Sequence, residues 1–285
     1  DVYKRQGLME ALRRRRHSPT TSKARRCCSA RLRRRQAGRS SMCRRLWRTR
    51  KVPPVNGDVA HVVGGGVGLI VAGGEAPNAA WLRAEASAAA VVVAADRGAV
   101  ALVNAGLLPD ALVGDLDSAD QETVDWLRAN GVEIVTYPSD KDATDLALAI
   151  EYAITRGVQR LRITGALRQS PRETSRIDHL FGNFAALAGA ATRVHEARLV
   201  EADSEVVILT GPGECDVSGS VGDHVSLVPL TASVDGTTTS GLRWALDNDS
   251  LAWGTTRGVS NEMASTQARV RVSAGRLLVA MQRHM

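Results

Sequence analysis

Seven aspartates carry the clearest chemical signal in this sequence, because they follow short apolar runs at the points where strands would end. They are Asp96, Asp115, Asp117, Asp140, Asp142, Asp145 and Asp178. Carboxylates gathered in one place repel one another unless a cation neutralises their charge. Hard carboxylate oxygens, without neighbouring pairs of His or Cys, favour Mg²⁺ over Zn²⁺. The pattern therefore indicates magnesium-dependent chemistry on a phosphate-bearing substrate.

Short apolar runs alternate with helical patterns between residues 64 and 202. The runs cover 67–72, 91–95, 112–113, 132–136 and 161–164, and the helical patterns cover 78–89, 98–106, 119–130, 142–156 and 179–191. This alternation predicts a parallel sheet with helices on both faces. Because ligands of such sheets bind just beyond the carboxyl ends of the strands, we expect the aspartates to meet at that edge.

Every aspartate also has an interpretation that involves no ligand. Asp142 and Asp145 precede the apolar positions of a helix and can form a helix cap, and Asp178 can cap the helix that starts at His179. His179 is a lone histidine, which more often holds the backbone than a metal. Because aspartates recur after consecutive strands, the pattern favours a ligand-binding site over a set of separate helix caps. The sequence contains no G-x-x-x-x-G-K-[ST] loop, which excludes a P-loop kinase.

From residue 197 onwards, helical periodicity gives way to short β-prone runs between turns rich in Gly, Pro and Asp. The runs cover 198–202, 205–210, 225–229, 241–246, 268–273 and 276–281. They predict an antiparallel β-sandwich. Trp244 is either a core residue of this sandwich or, beside Arg243 at a strand end, a stacking face for a cationic aromatic ligand.

The formal net charge of +7 is concentrated in the N-terminal segment. Residues 1–51 hold 19 of the 37 Lys and Arg residues and only two acidic ones, so residues 52–285 carry 18 basic and 28 acidic residues. An acidic body does not favour nucleic-acid binding by the folded part. The Arg-rich tail is open to three interpretations: an RNA-binding arm, an organellar transit peptide, or a disordered stretch that is not native coding sequence. We expect the last of these.

Cysteine use and hydropathy bear on the compartment. Cys215 is the only cysteine after residue 51, so the body cannot form an internal disulfide, and nothing implies an oxidising compartment. The sequence has no run of about eighteen apolar residues, so it predicts no membrane-spanning helix and no membrane partner. We therefore expect a cytoplasmic protein.

The order of the motifs resembles the thiamine pyrophosphokinase family. The α/β half contains ADRGA (95–99), LPDALVGDLDS (108–118), SDKDATDLALA (139–149) and RIDHLFGN (176–183). The C-terminal half contains VSLVPL (225–230), TTTSGLRWALDN (237–248) and RGVSNE (257–262). The resemblance extends from Gly68 to Val279. The ordered set, spread over two types of domain, is far more specific than any single motif.

This resemblance implies an enzyme that moves pyrophosphate from ATP to the hydroxyl of thiamine, giving thiamine diphosphate and AMP, with Mg²⁺ as cofactor. The matching catalytic positions are Asp96, Asp115, Asp117, Asp142 and Asp145, and the metal-binding ones among them are Asp115, Asp117 and Asp142. The matching ATP-binding positions are Lys141, Arg176, Asp178 and Asn183. The matching thiamine-binding positions are Ser240, Trp244, Ser260 and Asn261. Family members are homodimers in which thiamine lies between the α/β domain of one subunit and the β domain of its partner.

On this basis we predict three regions. A disordered Arg-rich tail covers 1–62, a Rossmann-like α/β catalytic domain that binds ATP and Mg²⁺ covers 63–196, and an antiparallel β-sandwich that binds thiamine covers 197–285. The sequence differs from the family pattern at Arg97, where the family has glycine, and in the long loop over 165–176.

Three other functions compete with this interpretation. The first is a pyrophosphokinase for another hydroxymethyl heterocycle, such as a pterin. The second is a catalytically disabled protein that binds thiamine or a nucleotide, although such a protein has no need for five metal-directed carboxylates. The third is an RNA-binding protein that acts through its tail, for which RNA affinity would be sensitive to salt.

Overall fold

The computed structural model describes residues 65–75, 77–116, 121–168 and 176–284. The tail predicted over residues 1–62 lies outside the described residues, and so does Asp117. Within the described part, no helix is both long enough and apolar enough to cross a membrane.

Five parallel strands and five helices form the first part of the described chain. The strands are β1 (Val67–Val71), β2 (Val91–Ala95), β3 (Ala111–Gly114), β4 (Glu133–Thr136) and β5 (Arg160–Thr164), and the helices are α1 (Ala79–Ala88), α2 (Gly98–Asn104), α3 (Gln121–Ala129), α4 (Asp145–Thr155) and α5 (Ile177–Ala190). β1 pairs in parallel with both β2 and β5, β2 pairs with β3, and β3 pairs with β4. The predicted parallel sheet with alternating helices is confirmed.

Helices cover both faces of this parallel sheet, which explains why its strands are continuous apolar runs. On one face, Leu69 and Val71 of β1 share a buried cluster with Leu82 of α1. On the other face, Ile70 shares a cluster with Ile150 of α4 and with Leu187 of α5. Alternate residues of one strand thus face opposite cores, and burial on both sides fixes the strand ends that carry the aspartates.

Nine further strands follow, in two layers. They are β6 (Glu196–Val200), β7 (Ser204–Thr210), β8 (Gly213–Ser218), β9 (His224–Pro229), β10 (Ser233–Ser240), β11 (Asp249–Ala252), β12 (Asn261–Glu262), β13 (Gln267–Val272) and β14 (Arg276–Gln282). One layer extends the parallel sheet into a ten-stranded sheet with the order β12-β9-β14-β7-β6-β5-β1-β2-β3-β4. The other layer has the order β11-β10-β13-β8. One buried cluster includes residues from both layers: Leu227 of β9 and Leu277 of β14 from the ten-stranded sheet, and Val270 of β13 from the other layer. The predicted fold class, α/β followed by an antiparallel β-sandwich, is confirmed.

The strand predicted over residues 241–246 is wrong. Strand β10 ends at Ser240, and Gly241 has a φ of 74°, in the region that favours glycine. A Cβ atom on Gly241 would lie 2.2 Å from the carbonyl oxygen of Gln267. The chain therefore leaves the sheet here, and residues 241–246 form a loop. The indole of Trp244 lies on this loop and is 52% exposed, so the interpretation of Trp244 as a core residue is also wrong.

The register of the ten-stranded sheet brings distant parts of the chain to one edge. β6 continues the parallel direction of β5, and the antiparallel β7 starts where β6 ends. Gln282, at the end of β14, pairs with Ser204 and with His224, and His224 pairs with Glu262. The ends of these C-terminal strands therefore lie along the same edge of the sheet as the carboxyl ends of β1–β6.

Candidate active site

A cleft of about 670 Å³ opens where β1, β2, β3 and β5 end. Its lining includes three aspartates (Asp96, Asp115 and Asp145) and three arginines (Arg97, Arg168 and Arg176). Carboxylates suit a hard divalent cation, and guanidinium groups suit phosphate oxygens. The cleft therefore combines the two kinds of group that a metal–nucleotide complex needs. These three aspartates lie at the sheet edge where the sequence predicted that the aspartates would meet.

Asp96 is held in the turn between β2 and α2 in a left-handed conformation, with a φ of 45°. Its backbone N–H donates to the carbonyl of Val113 at 2.9 Å, which ties the turn to the end of β3. Arg97, in contrast, has a φ of −61°. Arginine adopts this conformation without strain, so Arg97 leaves the turn intact and adds a cation to the cleft.

Gly98 allows α2 to start directly against β1. A Cβ atom on Gly98 would lie 1.8 Å from the carbonyl oxygen of Val71, so no other residue fits without moving the backbone. This close approach fixes the position of Asp96 and Arg97, the two residues that precede it. The glycine of the ADRGA motif therefore has a packing role beside the site.

Lys141 joins two of the aspartates of the cleft. Its Nζ atom lies 3.0 Å from Oδ2 of Asp115 and 2.7 Å from Oδ1 of Asp145. Burial opposes the charged form, but hydrogen bonds to Asp145 and Asp115 outweigh it and raise the pKa of Lys141 above its usual value. The side chain therefore stays a cation at neutral pH. It lies where two carboxylates attract a positive charge, the same attraction that a divalent cation would experience.

Helix α4 is capped by Thr144, whose Oγ1 atom accepts a hydrogen bond from the backbone N–H of Ala147 at 3.2 Å. The interpretation of Asp142 as the cap is therefore wrong, and Asp145 is the first residue of the helix. Asp142 is exposed and is not among the residues that line the cleft. Its predicted role as a metal ligand stays a prediction.

The start of α5 carries three of the predicted ATP-binding residues. Arg176 precedes the helix and forms an ion pair of 2.6 Å with Asp178, which lowers the pKa of Asp178 to about 2. Both side chains are exposed, and Asp178 does not cap the helix, which begins at Ile177 with no side-chain cap. Asn183 donates from Nδ2 to the carbonyl of Ala166 at 2.8 Å. Arg176 and Asn183 line the cleft, whereas Asp178 does not.

A second group of predicted residues surrounds the exposed indole of Trp244. Asn261 is only 7% exposed. Its Oδ1 accepts from the N–H of Trp244 at 3.1 Å, and its Nδ2 donates to the carbonyl of Trp244 at 2.7 Å. Ser260 has a φ of 61° and donates its N–H to Ser226. Ser240 is the last residue of β10. Asn261 thus holds the loop that presents Trp244, and none of these residues lines the cleft.

Arg243 stacks on the indole beside it. The guanidinium carbon of Arg243 lies 4.8 Å from the ring centroid of Trp244, and its NH1 atom donates to Oε2 of Glu262 at 2.7 Å. This ion pair fixes the cation over the ring. The electron-rich faces of an indole attract cations, and Arg243 occupies one face of Trp244.

Two family models match this chain over both of its parts. The catalytic domain of thiamin pyrophosphokinase matches residues 82–199, and the vitamin B1 binding domain of thiamin pyrophosphokinase matches residues 214–277. The chain belongs to the thiamin pyrophosphokinase family. The family predicted from the motifs, and with it the enzyme class of thiamine diphosphokinase, is confirmed.

Individual members of the family align with much of the chain. The thiamine pyrophosphokinase of Bacillus subtilis is 26% identical over 189 residues, which is 66% of this chain and 85% of that protein. Thiamine pyrophosphokinase 1 of rice, Oryza sativa subsp. japonica, is 32% identical over 174 residues, or 57% of this chain and 62% of the rice protein. The chain thus matches less than two thirds of the plant relative's length.

Solved structures of the family share the fold. The Bacillus subtilis thiamine pyrophosphokinase superposes with a TM-score of 0.66 at 24% identity, covering 77% of this chain and all of the other. The thiamin pyrophosphokinase of Geobacillus thermodenitrificans gives 0.64 at 27% identity, covering 76% and 97%.

Three residues near the thiamin pyrophosphokinase cleft had no predicted part in binding. Arg168 and His179 line the cleft. Glu201 is buried at the end of β6 and bonds the turn that follows β5. A signal for Glu201 was present in the sequence, since it is an acidic residue near the end of the β-prone run 198–202. For Arg168, which pairs with Asp203, no pattern in the sequence connects the two residues.

Lys141→Met is expected to lower the free energy of unfolding by about 1–2 kcal/mol in EDTA, because Asp115 and Asp145 then repel each other in a partly buried place. Adding Mg²⁺ should stabilise the variant more than the wild type, since the metal replaces the lost cation. Urea unfolding with and without Mg²⁺ measures both effects. Arg128→Met, which breaks an exposed pair with Asp125, is the control and should change stability by less than about 0.5 kcal/mol. Equal Mg²⁺ responses in Lys141→Met and the wild type would contradict this account.

Proposed function

We propose that this chain transfers the pyrophosphoryl group of ATP to the hydroxyl of thiamine, in the presence of Mg²⁺, and releases AMP. The observation that carries the proposal is the cleft lined by Asp96, Asp115 and Asp145 together with three arginines, in a member of the thiamin pyrophosphokinase family. The matched vitamin B1 binding domain and its exposed Trp244 support thiamine over a pterin as acceptor. A pterin-specific or a disabled protein is not favoured.

The carboxylates of the cleft fit Mg²⁺. Among the described residues, no three His, Cys, Asp or Glu side chains gather into a complete metal site. Mg²⁺ does not require one, because it keeps several waters and takes one or two carboxylates besides substrate phosphates. Asp115 and Asp145, whose carboxylates both bond Lys141, would hold Mg²⁺. The roles of Asp117 and Asp142 as metal ligands stay predictions from the motifs. Once bound, the metal would neutralise charge on the phosphates of ATP.

The remaining groups of the cleft position the reactants. In pyrophosphoryl transfer the hydroxyl of thiamine attacks the β-phosphorus in line with the departing AMP, and catalysis depends on positioning and charge neutralisation. Arg97, Arg168 and Arg176, which also line the cleft, would bind phosphate oxygens. Asp115 and Asp142 are the two candidates for accepting the hydroxyl proton. We favour Asp115, because it lines the cleft whereas Asp142 is exposed.

The position of Trp244 supports a site shared by two subunits. Asn261, which holds Trp244, belongs to β12, and β12 is five strand steps away from β5 in the sheet order. At about 4.8 Å per step, the two strands are about 24 Å apart along the sheet. This separation is longer than a thiamine molecule. A single thiamine that reaches both Trp244 and the cleft would therefore take Trp244 from a second copy of the chain, as in a homodimer.

Exposed apolar side chains support the homodimer further. Ile177 and Phe181, one helical turn apart on α5 beside the cleft, are each 66% exposed. Trp244 and Val259 are exposed on the sandwich. A two-fold contact in which α5 of one copy packs against the sandwich of the other would cover both patches at once.

Phe181→Asp is expected to shift the protein from dimer to monomer at micromolar concentration, because a charge in an apolar contact carries a large desolvation cost. Sedimentation velocity measures the change, and activity per chain should fall with it. Val100→Asp on α2, also at an exposed apolar position, is the control and should remain dimeric. A wild-type chain that is monomeric and fully active would overturn the shared site.

The proposed activity is tested by incubating the full chain with thiamine, ATP and Mg²⁺ and separating the products by chromatography. We expect thiamine diphosphate and AMP in equal amounts, and neither in EDTA. A hydroxymethyl pterin in place of thiamine should give no diphosphate product. Thiamine binding without product would instead identify a disabled binding protein. A cytoplasmic location, expected from the sequence, is part of the same proposal.

A further inference from the structure

Glu201 is a buried carboxylate that the proposed reaction does not use. It follows β6 directly and is 9% exposed. Its backbone N–H donates to the carbonyl of Ser204 at 2.7 Å, so it opens the tight turn into β7. Because β6 lies beside β5 in the sheet, the Glu201 side chain meets the chain where β5 ends and the cleft begins.

Donors at the end of β5 and in the turn that follows it satisfy the Glu201 carboxylate. Oε2 accepts from the hydroxyl of Thr164 at 3.0 Å, and Oε1 accepts from the backbone N–H groups of Gly165 at 2.9 Å and Ala166 at 3.3 Å. Burial raises the pKa of Glu201 above its usual value, while these hydrogen bonds act in the opposite direction. A buried carboxyl group is costly unless its oxygens are bonded. The position of the turn is therefore coupled to that of Glu201.

The same turn holds both walls of the cleft. The carbonyl of Gly165 accepts from the N–H of Gly74, in the loop after β1, at 2.9 Å. The carbonyl of Ala166 accepts from Nδ2 of Asn183, on α5, at 2.8 Å. Gly74 and Asn183 both line the cleft. A displacement of the turn would therefore move the loop after β1 and α5 together.

Close backbone packing leaves the turn after β5 no room for another conformation. Gly165 has a φ of 69°, and a Cβ atom there would lie 2.6 Å from the carbonyl oxygen of Ala72. A Cβ atom on Gly74 would lie 2.4 Å from the carbonyl oxygen of Gly165. The backbones of the two loops are thus in direct contact. Glu201, which does not itself line the cleft, bonds the backbone N–H groups of Gly165 and Ala166 at this contact.

We propose that Glu201 is a positioning residue for the nucleotide: by holding the turn after β5, it sets the two walls between which ATP binds. This inference rests on the proposed function, since ATP is the nucleotide of that reaction. A site whose walls are held in place before binding loses less free energy when it orders its ligand. Loss of Glu201 should therefore weaken ATP binding more than it slows the chemical step.

The test compares Glu201→Ala and Glu201→Gln in the full chain, by steady-state kinetics and by equilibrium dialysis with ATP and Mg²⁺. For Glu201→Ala we expect KM and Kd for ATP to rise about tenfold, with kcat within about threefold and KM for thiamine unchanged. Glu201→Gln should stay within about twofold of the wild type, because its amide oxygen accepts from both N–H groups and its NH₂ group donates to Thr164. This rescue separates hydrogen bonding from charge.

Asp223→Ala is the matched control. Asp223 is also a buried carboxylate, 2% exposed, and it accepts from the backbone N–H groups of Ser220 and His284 at 2.7 and 2.9 Å, in the sandwich. Asp223→Ala should lose stability to a similar degree and keep its affinity for ATP. An unchanged Kd for ATP in Glu201→Ala, or an equal rise in Asp223→Ala, would overturn the inference. A loss in Glu201→Gln as large as that in Glu201→Ala would also overturn it.

A milder variant covers the case in which Glu201→Ala does not fold. Thr164→Val removes the one side-chain donor to Glu201 and keeps the volume of a buried side chain. It should raise Kd for ATP about threefold, and no change would overturn the inference.

If the wild type binds ATP but forms no thiamine diphosphate, the proposed function fails, and the Kd values alone decide the role of Glu201. A wild type that binds no ATP would overturn both.

Discussion

Asp115→Asn lowers kcat for thiamine diphosphate formation by about a thousandfold, the largest effect that we expect from a single substitution. The reason is electrostatic. Asp115 follows β3, lines the cleft and already holds a positive charge through Lys141. The amide keeps the size of the side chain and removes its charge, so Mg²⁺ and the phosphates of ATP lose a fixed counter-charge. Steady-state kinetics across a range of Mg²⁺ concentrations measures the loss, and high Mg²⁺ should restore part of it.

Asp125→Asn provides the control for this result. Asp125 lies on α3, is exposed, and pairs only at the surface with Arg128 and Gln121, so the variant should keep full activity. If Asp115→Asn retained more than about a tenth of the activity at low Mg²⁺, the assignment of Asp115 to the metal would be wrong. Asp117→Asn, at a position predicted from sequence, should behave in the same way as Asp115→Asn.

Trp244→Ala is expected to raise KM for thiamine by about thirtyfold, which corresponds to about 2 kcal/mol of lost stacking and cation–π attraction. KM for ATP should not change, because Trp244 does not line the nucleotide cleft. The indole is already exposed, so its removal leaves no cavity in a core, and the fold should remain intact. Trp244→Phe keeps an aromatic face and should recover most of the affinity.

Trp253→Ala is the control for the loss of an exposed indole, since Trp253 is 61% exposed on the same sandwich. It should leave KM for thiamine within about twofold of the wild type. If the two substitutions raised KM for thiamine equally, a general loss of exposed apolar surface would explain the weaker binding, and a specific stack on Trp244 would not. Unchanged thiamine affinity in Trp244→Ala would remove Trp244 from the site.

Mixing Asp115→Asn with Trp244→Ala, assayed at a thiamine concentration at or below the wild-type KM, where each variant alone is nearly inactive, tests whether one site takes residues from two subunits. Random pairing of Asp115→Asn with Trp244→Ala chains gives half heterodimers, each with one site that carries neither substitution. Activity should then return to about a quarter of the wild-type value after subunit exchange. If each site were built within one chain, the mixture would be no more active than its two components.

The sequence alone determined the α/β architecture and the place where its acidic residues meet. Apolar runs such as 91–95 are buried on both faces, so their hydrophobic pattern is strong and local. Residues that directly follow parallel strands must lie at one edge of the sheet, whatever the packing details. Asp96 and Asp115 were therefore predictable as neighbours, and Asp145 begins the helix that follows β4. The ordered motifs supplied the family, because each motif is itself a short contiguous stretch.

The tertiary structure decided what depends on residues far apart in the chain. The segment predicted as a strand over 241–246 is a loop: Gly241 has a φ of 74°, and its backbone lies against that of Gln267. Trp244 lies on this loop and is exposed. Lys141 reaches Asp115 across 26 positions, and Glu201 reaches the turn at Gly165 across 36. The β-sandwich also shares a sheet with the α/β part, because β6 pairs with both β5 and β7. Such contacts depend on strand register and side-chain packing. The hydrophobic period and the local propensity of a segment do not encode them.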